Sequence, residues 1–343
     1  MNRYVLTCTT AASAFNAGSK APADVNRILA DAGCSILENR YMVRNRLLRL
    51  PMILVTPVML ALRIKPGSQL IFQHPYDTAH NAIRVMNRIL LVLLKPKKVS
   101  TAVLVHDVEA MRFQKKDINA EARLLNRFDM VVVHSPRMHE RLLIAGLSVR
   151  CRVMGLFDYL VSSPNVMPRE RDGGVCFAGN LGKSVFVSNI SEVKGVDIHL
   201  YGAEPSSLPQ CPRVTYEGRF APDDLSGLQG GWGLVWDGDS IDSCQGALGE
   251  YLSVNSPHKA SMYICAGLPL IVPAWSAVAR EVEARNLGIA VSSLRDMAAR
   301  ISMVTEEEYA AMKESVAAYA RTLMAGAHVR ASLSPNMFHM QKI

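Results

Sequence analysis

The strongest constraint on the fold of this 343-residue chain is an alternation of short apolar runs with segments of helical periodicity. Runs such as 101–105, 130–133 and 175–178 are typical of buried strands, and helical stretches with apolar residues three and four positions apart follow them. Parallel strands need such connections, because a helix must return the chain to the start of the next strand. The sequence therefore predicts the α/β class with doubly wound sheets.

A segment rich in turn-forming residues separates two halves of this alternation. Residues 158–174 contain two prolines, two serines, two glycines and a run of charges, which is typical of a connection between domains. We expect an N-terminal domain over 1–157, a linker over 158–174 and a C-terminal domain over 175–304. A final helical segment, 305–343, opens with the spacing of a capping box.

Composition excludes several classes of protein. The chain is 49% hydrophobic and 20% charged, which is typical of a globular protein and not of a disordered one. Seven cysteines occur singly without a C-x-x-C pair, which argues against a disulfide framework or a zinc site and favours a reducing cytoplasm. The first residues lack the pattern of a secretory signal peptide. We expect a cytoplasmic location, with the inner face of the plasma membrane as an open alternative.

Charge is distributed unevenly along the chain. Residues 1–150 contain 22 Lys and Arg against 10 Asp and Glu, whereas residues 151–343 contain 16 against 20. The balances of +12 and −4 add up to the net charge of +8. This asymmetry indicates that the first half faces something anionic.

Two segments of the first half combine basic residues with apolar runs. They are 40–62 and 83–99, and the longest apolar run, 50–62, has 13 residues against the roughly 20 that a membrane-spanning helix needs. They are either core helices with solvated basic ends or a surface that rests on anionic lipid headgroups. The second alternative predicts a peripheral membrane association that salt weakens.

Polar residues follow three predicted strands of the first half. Gln73 and His74 follow one strand, and a second strand leads into His106, Asp107 and Glu109. Ligands of open α/β sheets collect at the carboxyl ends of strands, so these residues mark the edge of a cleft. The His106–Glu109 cluster includes side chains that can take a proton from a hydroxyl, although an Asp after a strand also commonly caps the next helix. The polar loop 9–20 after the first strand, with Ser19 and Lys20, belongs to the same edge.

The stretch 249–273 predicts a loop, a short helix, a turn and a buried strand. Ser256 is a candidate N-cap that follows Asn255, Pro257 suits the first helical position, and Lys259 then falls in the first turn. Helix N–H groups and a lysine together form a site for a phosphate or diphosphate. The alternative is an ordinary helix with Lys259 in solvent.

Other residues of the second half occupy equivalent positions at strand ends. The turn that begins Gly179-Asn180 includes Lys183, where a helix is expected to begin, although its glycine spacing is not that of a Walker A loop. Tyr201, Arg219 and Asp237 each follow a further predicted strand. An aromatic ring can stack on a nucleotide base, a carboxylate can bind ribose hydroxyls, and the cations can bind a diphosphate. For Tyr201, packing in the core is the open alternative.

Four stretches of the chain resemble a known group of enzymes. They are LVHDVEAMRF (104–113), FDMVVVHSPRMHERLLIAG (128–146), GGWGLVWDGDS (230–240) and NSPHKASMYICAGLPLIV (255–272). They resemble the bacterial β-galactofuranosyltransferases and the related glucosyltransferases that elongate adhesin glycans, in the same order and over most of the chain. The resemblance implies a GT-B fold, with two Rossmann-like α/β domains facing across a cleft and a last helix that crosses back to the first.

The resemblance also implies roles for individual residues. The acceptor site is expected in the first domain and a UDP-sugar site in the second, with no metal ion or other cofactor. Lys183 and Lys259 match the positions near the donor diphosphate, and Asp107 matches the position of a base in an inverting mechanism. The chain follows the galactofuranosyl pattern more closely than the adhesin-glycan pattern around residues 179–184 and 255–259.

The resulting hypothesis is a transfer of galactofuranose from UDP-galactofuranose to a sugar hydroxyl of a cell-surface glycan precursor, lipid-linked or not, with inversion. Two alternatives stay open: a UDP-glucose- or UDP-galactose-dependent transferase of the same fold, and a non-catalytic protein that binds a glycan or another transferase. Nucleic-acid binding has no supporting motif in the basic half. The sequence does not specify an oligomeric state.

Overall fold

The computed structural model describes residues 1–8, 17–39, 46–78, 81–114, 117–162, 168–203 and 211–338. These residues form two compact units. The first contains most of the chain up to Met154 together with the segment from Val329 onward, and the second spans Gly155–His328.

The first unit is built on one parallel sheet. Its strands are β1 (Arg3–Cys8), β2 (Ser35–Asn39), β3 (Gln69–His74), β4 (Ser100–Val105), β5 (Met130–Val133) and β6 (Arg150–Val153). The connecting helices are α1 (Ala17–Asp31), α2 (Arg46–Arg63), α3 (Asn81–Leu94), α4 (Glu109–Phe113), α5 (Ile118–Leu125) and α6 (Pro136–Ile144). The strands lie in the order β2-β1-β3-β4-β5-β6, with every neighbouring pair parallel. Their carboxyl ends therefore share one edge.

The second unit contains a second parallel sheet of six strands. They are β7 (Val175–Ala178), β8 (Ile198–Tyr201), β9 (Val214–Gly218), β10 (Trp232–Leu234), β11 (Leu270–Pro273) and β12 (Gly288–Val291), in the order β12-β11-β10-β7-β8-β9. The helices are α7 (Gly246–Tyr251), α8 (His258–Cys265), α9 (Ala279–Ala284), α10 (Met297–Ser302), α11 (Glu306–Met324) and α12 (Ala327–Ser332), which continues into the first unit. The predicted α/β class is confirmed.

The core of the second unit depends on a close approach between a helix and a strand. The ring of Tyr263, on α8, lies against Gly233 of β10, where a Cβ atom would come within 2.3 Å of the ring. The Tyr263 hydroxyl accepts a hydrogen bond of 2.7 Å from the backbone N–H of Ala178, at the end of β7. One aromatic side chain thus ties α8 to two neighbouring strands, and a glycine makes room for it.

Several elements differ from the sequence prediction. Strand β2 and helix α7 were not predicted, and the helix expected after residue 184 is a 3-10 helix, Val185–Glu192. Residues 17–20, expected in a loop, are the first turn of α1, while the rest of that loop lies outside the described residues. The capping box of α11 is present. Among the described helices, none is both long enough and apolar enough to cross a bilayer.

The described residues of the segment predicted as a linker, 158–162 and 168–174, belong to the second unit. Tyr159 and Arg169 are buried there. The Arg169 guanidinium donates to the carbonyl oxygens of Leu228, at 2.5 Å, and of Ala266, at 3.1 Å. The second unit continues to His328, so α11 lies wholly in this unit, and the chain returns to the first unit at residues 328–329.

Candidate functional site

A chain of buried and partly buried polar side chains runs along the carboxyl edge of the first sheet, with Gln73 at its centre. The Gln73 side-chain nitrogen donates to Asn26 Oδ1 at 2.9 Å, and Asn26 in turn donates to the hydroxyl of Thr7 at 3.0 Å. The Gln73 side-chain oxygen lies 2.8 Å from His106 Nε2, which is the donor in this orientation of the amide. Because Gln73 is only 1% exposed, it supports the edge from within the core, and its contact with an acceptor stays a prediction.

A second buried group of residues joins His74 to the segment that follows β4. His74 Nε2 lies 2.7 Å from Glu121 Oε1, and His74 Nδ1 makes a further hydrogen bond to the Thr78 hydroxyl. The Glu121 carboxylate also accepts the backbone N–H groups of Glu109, at 3.1 Å, and Ala110, at 2.9 Å. Glu121 therefore holds the first turn of α4. His74, which was predicted to touch the acceptor, is the hydrogen-bond partner of Glu121.

The electrostatics of this group favour an ionised Glu121. Burial alone raises the pKa of Glu121, but the hydrogen bond and charge of His74 and the two backbone N–H groups lower it by more. The pKa consequently lies below its ordinary value of 4.5. An ionised carboxylate with three donors is a strong anchor for the backbone at residues 109–110.

Asp107 stands at the surface of this edge, directly after the buried His106. Its side chain is 21% exposed, and its Oδ2 atom lies 2.6 Å from the Arg112 guanidinium. The ring of Tyr76 packs edge-on against His106, with centroids 5.2 Å apart. Burial and the Asp107 charge, against the opposing charge of Arg112, raise the pKa of Tyr76 to about 12, so Tyr76 stays protonated at neutral pH. Of the three predicted catalytic residues, Asp107 and Glu109 are partly exposed and His106 is buried.

The two remaining residues of the predicted acceptor site belong to α1. Lys20 is buried, and its ammonium pairs with Asp24 Oδ1 at 2.8 Å, one helical turn away. Lys20 therefore lies in a helix and not in the polar loop that was predicted, while its contact with the acceptor stays a prediction. The side chain of Ser19 lies outside the described residues.

In the second unit, Lys259 and Asp237 form an ion pair. Lys259 Nζ lies 3.0 Å from Asp237 Oδ2 and 3.0 Å from the carbonyl oxygen of Trp236, and it sits over the ring of Phe177 at 4.9 Å. The Lys259 and Asp237 side chains are 16% and 26% exposed. The cation and the carboxylate, which were predicted to bind different parts of a donor, are held together where β10 ends and α8 begins.

The start of α8 differs by one residue from the prediction. Pro257 has an extended conformation and is the N-cap, so the helix begins at His258 and Ser256 is not the cap. Asn255 Oδ1 is buried and has no hydrogen-bond partner within the described part of the chain. A buried acceptor of this kind costs about 1–3 kcal/mol unless a ligand or water satisfies it. The helix ends as predicted, with Gly267 in the left-handed region (φ 74°).

The turn that contains Asn180 and Lys183 packs tightly against the next strand end. The Asn180 carbonyl oxygen accepts the backbone N–H of Lys183 at 2.9 Å, and the Lys183 side chain is exposed. Gly202, after β8, approaches so closely that a Cβ atom there would lie 2.0 Å from the Gly179 carbonyl oxygen. The turn therefore has a defined position beside β8.

Tyr201 and Arg219 have very different environments. Tyr201 is only 3% exposed. Its hydroxyl donates to the Gly227 carbonyl oxygen at 3.0 Å and accepts a hydrogen bond from the Gln229 N–H at 2.7 Å. Burial raises its pKa to about 12. The ring is thus packed in the core, which is the alternative that the sequence left open for Tyr201. Arg219 is exposed at the end of the edge strand β9.

The sheet order brings most of the predicted donor residues to one edge. Strands β10, β7, β8 and β9 are neighbours in that order, so Asp237, Asn180 and Arg219 follow the ends of three of them. Lys259 joins this edge through its contact with Asp237. In the described parts of both units, no three His, Cys, Asp or Glu side chains converge as metal ligands do.

Sequence reasoning missed Glu121, Arg112 and Phe177. A detectable signal existed for Glu121, because it lies one helical turn before Leu125 and next to Ala122, on the face of α5 that is buried. A glutamate on such a face is rarely buried without a partner. Arg112 and Phe177 carry no comparable sequence signal.

Comparison with known proteins agrees with this architecture. Residues 3–156 match the family description "Glucosyltransferase 3-like, N-terminal domain" and residues 175–335 match "Glucosyltransferase 3-like, C-terminal domain". The β-1,6-galactofuranosyltransferase WbbI of Escherichia coli K12 is 31% identical over 236 residues, which are 66% of this chain and 68% of WbbI. Glucosyltransferase 3 of Streptococcus gordonii is 28% identical over 265 residues, 76% of each chain.

Similar solved structures share the fold. HepE of Anabaena, in complex with UDP-glucose, has a TM-score of 0.63 at 12% identity, and the match covers 98% of this chain and 100% of the HepE chain. The sucrose-phosphate synthase of Thermosynechococcus elongatus has a TM-score of 0.62 at 13% identity, with the same coverage. Both are GT-B glycosyltransferases, so the predicted GT-B fold is confirmed. With both domain descriptions matched over nearly its whole length, the chain belongs to the Glucosyltransferase 3-like family of bacterial glycosyltransferases.

Proposed function

We propose that this glycosyltransferase moves galactofuranose from UDP-galactofuranose to a sugar hydroxyl of a cell-surface glycan precursor, with inversion at the anomeric carbon. The observation that carries the donor sugar is the 31% identity to a β-1,6-galactofuranosyltransferase over 68% of that protein. The nucleotide is supported by the fold shared with HepE, which binds UDP-glucose and UDP. A glucosyl donor is the second candidate, because Glucosyltransferase 3 is similar over a larger share of the chain.

The donor diphosphate is proposed to bind at Lys259. An ammonium group has three N–H donors, and the Lys259 contacts with Asp237 and Trp236 account for two of them. The third can bond a phosphate oxygen while the first two keep the amine in place. The first turn of α8 and the exposed Lys183 supply further positive potential, and Asn255 supplies a polar group beside them.

These groups also explain how the bond to the leaving group is broken. Negative charge grows on UDP as its bond to the sugar lengthens, and positive groups fixed beforehand stabilise that charge most effectively. We propose that Lys259, Lys183 and the α8 amides do this without a metal ion. The ion pair between Lys259 and Asp237 holds the Lys259 ammonium group in place, so the group needs to move less during the reaction.

Asp107 is proposed as the base. The acceptor oxygen attacks the anomeric carbon, the bond from that carbon to the UDP oxygen breaks, and the hydroxyl proton passes to the Asp107 carboxylate. Arg112 holds one carboxylate oxygen at 2.6 Å, which restricts the side chain to one orientation. His106 and the Glu121-anchored turn at Glu109 support the backbone on either side of Asp107.

A substitution and a ligand screen test this proposal. We expect Asp107→Asn to lower transfer by about 10²–10⁴-fold, the usual contribution of a positioned base, and to leave UDP affinity unchanged. Asp117→Asn is the matched control, because Asp117 is a half-exposed N-cap of α5 in the same unit. If Asp107→Asn kept normal turnover, Asp107 would not be the base.

The donor is tested by thermal shift in the presence of EDTA. A ligand that binds only the folded chain stabilises it by about 2.7 kcal/mol at a concentration of 100 times Kd. We expect UDP-galactofuranose to raise the melting temperature more than UDP-glucose or UDP-galactose does. A larger shift with UDP-glucose would favour the second candidate, and no shift with UDP or any UDP-sugar would overturn both.

A further inference from the structure

Helix α2 exposes a continuous apolar stripe. Leu54, Val58 and Leu62 are four residues apart and so lie along one line of the helix, with exposed fractions of 62%, 45% and 77%. Val55 and Met59 widen the stripe. A surface helix of a globular protein normally carries polar side chains on its outer face. An exposed apolar face of this length marks a surface that something else covers.

The neighbouring helix α3 extends this surface. Val85, Val92 and Leu93 are exposed on α3. The two helices run in the same direction, because Ile53, in the first half of α2, packs against Ile83 and Met86, in the first half of α3. Their carboxyl ends also meet, because Lys97, just after α3, hydrogen-bonds to carbonyl oxygens at the end of α2. The two apolar stripes therefore lie at the same level.

Basic residues gather at the shared carboxyl end of these two helices. Lys97, in the 3-10 turn after α3, donates to the Ala61 and Ile64 carbonyl oxygens at 2.5 and 2.9 Å, which satisfies the end of α2. The other cations at this end have exposed side chains: Arg63, Lys65, Lys95 and Lys98. We call the exposed apolar residues of α2 and α3 together with these four cations the α2/α3 face.

The charge around the α2/α3 face has one sign. Between residues 46 and 98 the sequence contains nine Lys and Arg and a single acid, Asp77, and Asp77 is buried. Two copies of the face would bring like charges together, which disfavours self-association. An apolar surface with a cationic end is complementary to lipid acyl chains beneath anionic headgroups.

We propose that the α2/α3 face docks on an anionic phospholipid membrane, with the apolar stripes at the boundary of headgroups and acyl chains and the cations at the phosphates. This inference goes beyond the proposed function and does not depend on the donor or on Asp107. It accounts for the basic first half of the chain. It also brings the first unit to a surface at which a lipid-linked acceptor would be presented.

Vesicle flotation of the full chain tests the inference. We expect binding to phosphatidylcholine vesicles that contain 30% phosphatidylglycerol at ~50 mM NaCl, weaker binding at ~500 mM NaCl, and little binding to phosphatidylcholine alone. Each basic residue near such a surface strengthens partitioning by about fivefold. The triple variant Lys65→Gln, Lys95→Gln, Lys98→Gln should therefore bind about 10²-fold more weakly.

Matched variants distinguish binding through the α2/α3 face from nonspecific effects of net charge and of exposed apolar residues elsewhere. Leu54→Gln with Leu62→Gln should also weaken vesicle binding, whereas Leu143→Gln with Ile144→Gln, on the exposed face of α6, should not. A triple change of exposed cations in the second unit, Lys194→Gln, Arg213→Gln and Arg300→Gln, lowers the net charge equally. It should leave binding nearly unchanged.

Three results would overturn the inference: no binding to the anionic vesicles at low salt, equal losses in the α2/α3 and control variants, or a dimer in light scattering that only the Leu54 and Leu62 changes dissociate. Thermal melting of every variant checks folding. Because all the changed residues lie outside the proposed site, UDP affinity should stay at the wild-type value. Loss of vesicle binding with intact UDP binding thus separates this inference from the proposed function.

Discussion

Replacement of Glu121 tests whether the buried network positions the base. Glu121→Ala removes the acceptor for two buried backbone N–H groups and the partner of His74. Breaking a buried pair of this kind costs about 3–5 kcal/mol, so the free energy of unfolding should fall by that amount. Glu121→Gln keeps the side-chain volume and an acceptor oxygen but loses the charge. A hydrogen bond to a charged group exceeds a neutral one by about 1–2 kcal/mol, and the amide NH2 group cannot accept the hydrogen bond of the oxygen that it replaces. Glu121→Gln should therefore lose at least that much.

The same change should affect catalysis in a specific way. Glu121 holds the N–H groups of Glu109 and Ala110, just after Asp107. Misplacement of a reacting group by about 1 Å costs up to about 10²-fold in rate. We expect Glu121→Gln to lower kcat while the KM for the UDP-sugar stays unchanged, because the donor groups lie in the other unit. Glu140→Gln, at an exposed position on α6, is the matched control.

The pH dependence follows from the lowered pKa of Glu121. In the folded state the pKa of Glu121 lies below the ordinary value of 4.5. As the pH falls through 4.5, the unfolded chain therefore binds more protons than the folded chain does. The stabilisation by Glu121 is present above pH 4.5 and is lost progressively below it. Denaturant titrations between pH 3.5 and 7 should therefore show the difference between wild type and Glu121→Gln shrinking toward low pH. A constant difference, or wild-type stability and kcat in Glu121→Ala, would refute the positioning role.

Three further substitutions test the second unit. Tyr201→Phe removes two hydrogen bonds of a buried residue and should lower the free energy of unfolding by about 1–3 kcal/mol without changing UDP affinity. A weaker UDP affinity with unchanged stability would instead support a role for Tyr201 in donor binding. Gly233→Ala would place a Cβ atom 2.3 Å from the Tyr263 ring, and a thermal melt should show about 1–3 kcal/mol of destabilisation. Lys259→Met should weaken UDP binding in calorimetry by at least about tenfold, since a charged hydrogen bond is worth about 1.5–3 kcal/mol, whereas the exposed Lys194→Met should not.

The fold could be predicted wherever buried strands are short runs of apolar residues. Met130–Val133, Val175–Ala178 and Gly288–Val291 have the predicted bounds, because strands buried on both faces need apolar side chains at every position. Strand β2 was missed because only Leu37 and Asn39 are buried on this edge strand. Helix α7 was missed because it is short and begins with Gly246.

The strand-end positions of the candidate site residues were predictable, but the contacts among them were not. Strand ends gave the positions of Asp107 and Asp237, because parallel strands finish at one edge. The pairing of Asp237 with Lys259 joins residues 22 positions apart, and it depends on the depth at which α8 packs over β10, which periodicity does not encode. Glu121 was missed because a helical glutamate is ordinarily solvated, and its contacts with His74 and with the backbone N–H groups of residues 109 and 110 depend on the tertiary fold.

The most direct test of the proposed function is the product formed from UDP-galactofuranose. The full chain would be incubated with this donor, a soluble galactoside acceptor and EDTA, and the new glycosidic linkage identified by NMR. We predict a β-linked galactofuranosyl product and an equal amount of released UDP, both nearly absent with Asp107→Asn. A product formed only from UDP-glucose, an α linkage, or turnover that EDTA abolishes would contradict the account.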